Sequence, residues 1–325
     1  MKTIMQDDYG SVPEDVLRLT EAARPLIGDD EILLRVHAAS VDRGTWHTMA
    51  GLPYAVRLAG FGLRRPKAAN PGRSVAGTVE SAGKNVTEFR PGDEVYGTCD
   101  SSFAEYARTR AGRLAAKPAN LSFEQAAAVP VSGVTALQAV RDKAQVQAGQ
   151  RVLIIGASGG VGTFAVQIAK AFGAEVTGVC STGKIDLVSA IGADQVIDYT
   201  RQDCTDGQLR YDVILDIGGN RPLSHLRRAL TPRGRLVIVG GETEGRWLGG
   251  TDRQLRALLL SPWVSQKLGS FLASENGEDL TALRTLIESG KLTPVIDRTY
   301  QLSETPEAIR HVREGRARGK VVITI

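Results

Sequence analysis

The stretch RVLIIGASGGVGTFAVQIAKAFGA constrains the fold more than any other part of the sequence. An apolar run, Val152 to Ile155, leads straight into Gly156, Gly159, Gly160 and Gly162, and from there into a segment whose apolar residues recur at helical spacing. A run without polar interruption suits a strand covered on both faces in a parallel sheet. Glycines in the turn remove Cβ atoms that would hold a ligand off the backbone, and the helix end behind them offers N–H groups and partial positive charge. The pattern predicts strand, tight turn and amphipathic helix, with room for a pyrophosphate on the helix N-terminus. The spacing is GxxGGVG rather than GxGxxG, a loose form of the dinucleotide fingerprint, and a glycine-rich βα turn that only packs tightly would read the same way in isolation.

The flanking sequence repeats the unit. After a helix-like FEQAAAVPVSGVTALQAV, the strand-like runs RVLIIGA, EVTGVC, QVIDY, YDVILDIGG and RLVIVGG alternate with helix-length segments, and a sixth strand is expected near KLGSFLA. This rhythm predicts an α/β domain with a doubly wound parallel sheet. Before about residue 120 the texture differs: EILLRVHAAS, SVAGTVESAG and DEVYG are short runs between Gly and Pro punctuation, as in a mostly β domain. The tail from about Thr293 lacks the βα rhythm and finishes in VVITI, a strand that could return to the first domain. The expected division is therefore 1–122 with 293–325, and 123–292.

Composition narrows the class. A chain of 325 residues with 42% hydrophobic and 23% charged residues is an ordinary globular protein of two domains. Cys99, Cys180 and Cys204 lie far apart, so neither a disulfide framework nor a cysteine-rich zinc site is expected, and a reducing cytoplasm fits best. The sequence begins MKTIMQDDYG without the apolar core of a secretory signal, and no run approaches a membrane span. The net charge of +4 is scattered apart from Arg64, Arg65 and Lys67. That cluster reads as a solvated loop, so neither nucleic acid nor membrane is expected as a partner.

The end of the second strand speaks to the kind of dinucleotide. NAD sites place an acid there for the ribose hydroxyls, and that acid would repel a 2′-phosphate. Here the strand runs into Ser181, Thr182, Gly183 and Lys184, with no acid until Asp186, and Tyr199 follows the next strand. Two hydroxyls, an ammonium and a phenol suit the phosphate of NADPH. The bland alternative is a solvated Lys184 and a packing ring at Tyr199.

Two separated signatures resemble a known family. Gly77-x-Val79-x-x-x-Gly83-x-x-Val86-x-x-Phe89-x-x-Gly92-Asp93-x-Val95 is similar to the GroES-like catalytic domain of the medium-chain dehydrogenase/reductase superfamily. Ala128-Val129-Pro130 with Thr135-Ala136, followed by GASGGVG, is similar to the start of that superfamily's Rossmann cofactor domain. Over essentially the whole chain the resemblance is to the zinc-independent quinone oxidoreductase branch, the zeta-crystallin-like proteins. It implies a GroES-like domain, a Rossmann domain and a cleft where they meet. By this resemblance Ser158, Gly159, Gly160 and Val161 line the pyrophosphate. Ser181, Thr182, Lys184 and Tyr199 surround the 2′-phosphate, and Thr135, Gly218 and Gly241 lie near the nicotinamide half.

Zinc-dependent relatives carry a Cys, a Gly-His-Glu motif and a further Cys or Asp. At those places this chain has Ser40-Val41-Asp42-Arg43, Gly72-Arg73-Ser74 and a lone Cys99, so no zinc is expected. The four histidines, His37, His47, His225 and His311, show no paired ligand spacing and read as surface or packing residues. Without a metal on the carbonyl oxygen, the natural acceptors are quinones and α,β-unsaturated carbonyls, which spread the charge of an arriving hydride. Asp42 and Tyr54 are the candidates for the acceptor site, although Asp42 stands where relatives commonly have Asn, and an ionised Asp cannot donate. For Asp42 a capping role or an Arg43 pair is equally open, and for Tyr54 ring packing. The rival readings are an alcohol, aldehyde or enoyl-thioester oxidoreductase, and an NADPH-binding redox sensor with little turnover. The resemblance also implies a homodimer, paired through the stretch from Arg235 to Phe271.

Overall fold

The computed structural model describes residues 1–206, 209–240, 245, 247 and 249–325. They form two compact units, Met1–Val134 with Glu275–Ile325, and Thr135–Ser274. In the first unit β1 (Lys2–Met5) and β2 (Arg18–Glu21) make an antiparallel pair, and β3 (Glu31–Val41) leads into α1 (Arg43–Ala50). Then come β4 (Ser74–Ala82), β5 (Glu94–Thr98), β6 (Tyr106–Arg110), β7 (Leu114–Ala116), α2 (Phe123–Ala127) and α3 (Pro130–Leu137). The second unit alternates β8 (Arg151–Ile155), α4 (Gly160–Ala171), β9 (Glu175–Cys180), α5 (Ile185–Ala190), β10 (Gln195–Asp198), β11 (Tyr211–Asp216), α6 (Leu223–Arg228), β12 (Leu230–Ile238), α7 (Thr251–Leu260) and β13 (Lys267–Ser270). The chain then returns to the first unit through α8 (Gly277–Glu288), β14 (Ile296–Gln301), α9 (Thr305–Arg313) and β15 (Lys320–Thr324).

In the first unit β3 is the spine. It pairs along one side with β4, and along the other with β6 at residues 31–35 and with β15 at residues 38–41. The sheet order is β14-β15-β3-β4-β5-β7, with β6 against β3. Ile32, Leu34 and Val36 pack with Val75, Val79 and Val95 in one core, while Ala39 and Val41 join Met49, Phe103, Val321 and Ile323 in another. The last strand, VVIT of the VVITI end, thus returns to the first unit and lies beside β3.

The second unit holds a six-stranded parallel sheet in the order β10-β9-β8-β11-β12-β13. β8 and β11 are neighbours, so the chain winds outward in both directions from this pair. Leu153, Ile214, Leu236 and Ile238 are buried in the middle strands, which is why these segments read as unbroken apolar runs.

The units divide at 134/135 and 274/275 rather than at 122/123 and 292/293. Ser122 caps α2 in a reciprocal box with Gln125, and α2 buries Ala126 and Ala127 against β3 and β4. The segment 275–292 is held to the first unit by α8, where Tyr96 donates to Leu280 O at 2.6 Å and Asn120 to Ile287 O at 3.0 Å. Helical texture resembled the βα rhythm, but these helices cover the β unit.

Candidate functional site

In an open parallel sheet, ligands bind beyond the carboxyl ends of the strands where the winding reverses, here β8 and β11. Gly156 leaves β8 with φ +88, a left-handed conformation that side chains resist. A Cβ on Gly162 would stand 2.1 Å from Gly156 O, so the helix start can sit against the turn only with glycine there. A Cβ on Gly159 would meet nothing nearer than 3.4 Å, so that face of the loop is open. Gly159 is the N-cap of α4, followed by Gly160 and Val161 in its first turn, and Ser158 is buried behind it. The first-turn N–H groups of this twelve-residue helix have no acceptor within the helix, so the loop and helix end fit a pyrophosphate.

At the end of β9, Ser181 caps a single turn, Thr182–Lys184, and Lys184 is half-buried there. Tyr199 is 55% exposed, and its N–H donates to Cys180 O at 3.1 Å, which brings it beside this turn. Asp198 was missed in the sequence because it lies on the neighbouring strand. The register of β10 on β9 sets it opposite Cys180. Its carboxylate accepts from the hydroxyl of Thr182 and from the N–H and hydroxyl of Thr200, which hold it below the usual carboxylate range. Thr182 is thereby turned to Asp198, leaving Ser181, Lys184 and Tyr199 as the groups able to meet a phosphate. Of the residues expected near the nicotinamide half, Gly218 is exposed just beyond β11 and Thr135 is half-buried on α3. Gly241 lies outside the described residues.

In the first unit Asp42 is the N-cap of α1, and its N–H donates to Thr45 Oγ1 at 3.2 Å. Its carboxylate is enclosed: Ser132 donates to Oδ1 at 2.7 Å, Ser74 donates to Oδ2 at 3.1 Å, and Lys320 pairs with Oδ1. Lys320 is 1% exposed and also donates to Val41 O at 3.3 Å and Ser132 Oγ at 3.1 Å. Arg43 turns away from Asp42 toward the carbonyls of Val312 and Arg313. The partner of Asp42 thus comes from the last strand, which no local pattern could announce.

Tyr54 opens a short turn, Tyr54–Val56, and its ring lies 4.9 Å from the Arg57 guanidinium, which also covers the ring of Tyr9 at 4.3 Å. Farther along this segment Phe61 joins Thr48 of α1, Gln6, Asn70, Arg73 and Ser101 in lining an open cavity of about 40 Å³. Arg73 is held by both oxygens of Glu275, at 2.9 and 2.6 Å. Burial works against its charge, and the Glu275 bonds outweigh it and raise its pKa.

The places that bind zinc in metal-dependent relatives do not form a donor set in this chain. Lys320 occupies the carboxylate of Asp42, a guanidinium stands at 73, and burial pushes the Cys99 thiol up. Among the described residues no group of three or more His, Cys, Asp or Glu side chains is arranged to hold a metal. His37 stacks on Phe123, His47 Nδ1 bonds Leu52 O, and His311 bonds Asp297.

The comparisons with known proteins agree with this architecture. Residues 28–139 match the model of the alcohol dehydrogenase GroES-like domain, and residues 191–323 that of zinc-binding dehydrogenases. The chain is 34% identical over 339 residues to 2-methylene-furan-3-one reductase of Solanum lycopersicum, covering 99% of this chain and 79% of that protein. It is also 34% identical over 358 residues to the mitochondrial NAD(P)H oxidoreductase RTN4IP1 of Mus musculus, covering 98% and 88%. The structure of the quinone oxidoreductase from Coxiella burnetii superposes with a TM-score of 0.87 at 30% identity, over 100% of this chain and 99% of that one. With family models matched in both halves of the chain and relatives at 34% identity over nearly its whole length, the protein belongs to the medium-chain dehydrogenase/reductase superfamily, in the quinone oxidoreductase branch of NAD(P)H oxidoreductases.

Proposed function

We propose that this chain transfers hydride from NADPH to a quinone or an α,β-unsaturated carbonyl, without a metal ion. The observation that carries the reading is the glycine loop and α4 N-terminus at the reversal of the parallel sheet, joined by Ser181, Lys184 and Tyr199 at the end of β9. NADPH supplies the hydride, and the residues described here bind, orient and shield. The backbone of 158–161 cradles the pyrophosphate, and Ser181, Lys184 and Tyr199 receive the 2′-phosphate. Asp198 beside them opposes the phosphate charge in part, so the preference over NADH is moderate.

The acceptor side is the segment from Asp42 to Phe61. Asp42 acts through its cap on α1, which carries Thr48, and Tyr54 through the turn that leads to Phe61. Hydride addition to the β-carbon of an enone leaves an enolate, which takes a proton from a hydroxyl or from water, so no single acid is indispensable. The carboxylate of Asp42, already bonded on both oxygens, is a positioning group. A conjugated acceptor agrees with a relative whose name describes a methylene ketone and with a structural neighbour named as a quinone oxidoreductase.

The assay is NADPH oxidation against quinones, enals, enoyl thioesters and simple aldehydes, with and without chelator. Turnover of the first two classes, undiminished by chelator, is expected. Turnover of saturated aldehydes that disappears with chelator and returns with zinc would overturn the reading. NADPH binding without turnover of any acceptor would instead favour the redox-sensor reading.

We also place a homodimer contact at β13. Among the described residues this edge strand has β12 as its one neighbour, and Leu258, Leu259, Trp263 and Leu272 nearby are largely exposed. Light scattering giving about one chain mass, 34.7 kDa, would refute it. Among the described residues no helix is long and apolar enough to cross a membrane. The three cysteines are buried and unpaired, which suits a reducing compartment.

A further inference from the structure

The second unit contains an ion pair that the nucleotide site as described does not use. Asp216, at the carboxyl end of β11, is 0% exposed, and Arg253, in the first turn of α7, has a side chain 12% exposed. Nη1 of Arg253 lies 2.8 Å from Oδ2 of Asp216. The guanidinium does more than meet this charge. It donates through Nη1 to Arg221 O at 3.0 Å and through Nη2 to Gly240 O at 3.3 Å. One side chain therefore fastens the turn after β11 to the backbone that leaves β12.

These two segments are pressed together and onto the glycine loop. A Cβ on Gly240 would stand 2.3 Å from Ile217 O, one on Gly219 2.1 Å from Asp216 Oδ1, and one on Gly156 2.9 Å from Gly218 N. A shift of the 217–221 turn would be felt at the loop. The sheet order says which part of a dinucleotide meets these segments. With pyrophosphate on α4 beside β8 and adenosine at the end of β9, the remaining half extends toward the carboxyl ends of β11 and β12. We infer that Arg253, braced by Asp216, is a positioning residue that holds the 217–221 and 239–240 backbones for the nicotinamide half of NADPH. The inference rests on the NADPH reading above.

The test compares NADPH with adenosine 2′,5′-bisphosphate, which carries the 2′-phosphate and adenosine but no nicotinamide. Arg253→Met combined with Asp216→Leu removes both charges without stranding one in the interior. Arg253→Lys keeps the charge but loses the planar reach to two carbonyls. Calorimetry on the full chain should show NADPH weakened about tenfold in the double variant and about threefold in Arg253→Lys, with the bisphosphate within about twofold of its parent value in both. Equal weakening of both ligands would mark the pair as merely structural and overturn the inference, and so would unchanged NADPH affinity. If the double variant does not fold, Arg253→Lys decides in the same two directions. Parent protein that binds neither ligand would overturn the NADPH reading itself, and this inference with it.

Discussion

Replacing Lys320 by methionine keeps most of the apolar stem and deletes the ammonium. In the parent that ammonium is 1% exposed and bonded to Val41 O, Ser132 Oγ and the Asp42 carboxylate, whose own side chain is 11% exposed. The variant leaves Asp42 enclosed with two serine hydroxyls and no cation. Breaking a buried pair from one side costs about 3 to 5 kcal/mol, because the remaining charge keeps its desolvation penalty. Asp42→Asn strands the lysine instead and should cost a similar amount. The double variant strands neither charge, so its loss should fall short of the sum by about 1 to 3 kcal/mol. Both residues belong to the first unit, which should show the effect while the second unit's transition stays in place. Urea titration at neutral pH can follow Trp46 for the first unit, with the exposed Trp247 and Trp263 changed to phenylalanine. A Lys320→Met loss under about 0.5 kcal/mol, or strictly additive losses, would refute the argument that this pair is energetically buried.

Lys184→Ala should narrow the preference for NADPH over NADH by about 1 to 2 kcal/mol, read as the ratio of dissociation constants, and an unchanged ratio would exclude Lys184 from the phosphate site. Tyr54→Phe leaves the ring on Arg57 and should lower turnover by about tenfold or less; a loss above about a thousandfold would make the hydroxyl a true proton donor. Asp194 gives the pH test. Burial would raise its carboxyl, but Lys170, at 2.8 Å from both oxygens, and the Val176 N–H at 2.7 Å outweigh this and lower it. A depressed folded value stabilises above the unfolded carboxylate range, near about 4, and the gain is lost as pH falls through the folded value. The pair is more than a third exposed, so Asp194→Asn should cost only about 0.5 to 1 kcal/mol at pH about 7, a cost that shrinks as pH falls below about 4 and vanishes once pH is below the folded value, measured by denaturation of the second unit. A gap that persists in acid would refute the assignment.

The parts of the fold legible in the sequence were those set by local period. Val152–Ile155 read as a buried strand because both faces are covered, and the glycine run read as a close-approach turn because Gly156 and Gly162 leave no room for Cβ atoms while Gly159 faces open space. What stayed hidden depended on contacts between distant positions. Lys320 sits 278 residues from Asp42, and its inward direction follows from the pairing of β15 with β3 rather than from its neighbours in sequence. Asp198 meets Thr182 because β10 pairs with β9 in one particular register. Arg253 reads as an ordinary helix-surface arginine until α7 is seen to carry it against Asp216. The boundary expected at Phe123 and the division of the compact units at 134/135 differ for a related reason, since α2 has the texture of a βα helix but covers β3 and β4.

The place of β15 beside β3 bears on how the protein is made. The second unit, Thr135–Ser274, is one continuous segment and can fold as soon as it has left the ribosome. The first unit cannot. Until residues 320–324 emerge, the 38–41 edge of β3 is uncovered and Asp42 waits without its cation. For the time needed to translate roughly 280 residues, tens of seconds at about 5 to 20 residues per second, the nascent chain carries an open strand edge, and only in the last part of that time is the parallel-sheet unit complete. That interval is when a chaperone, or a neighbouring chain offering the same strand, has its opportunity to bind.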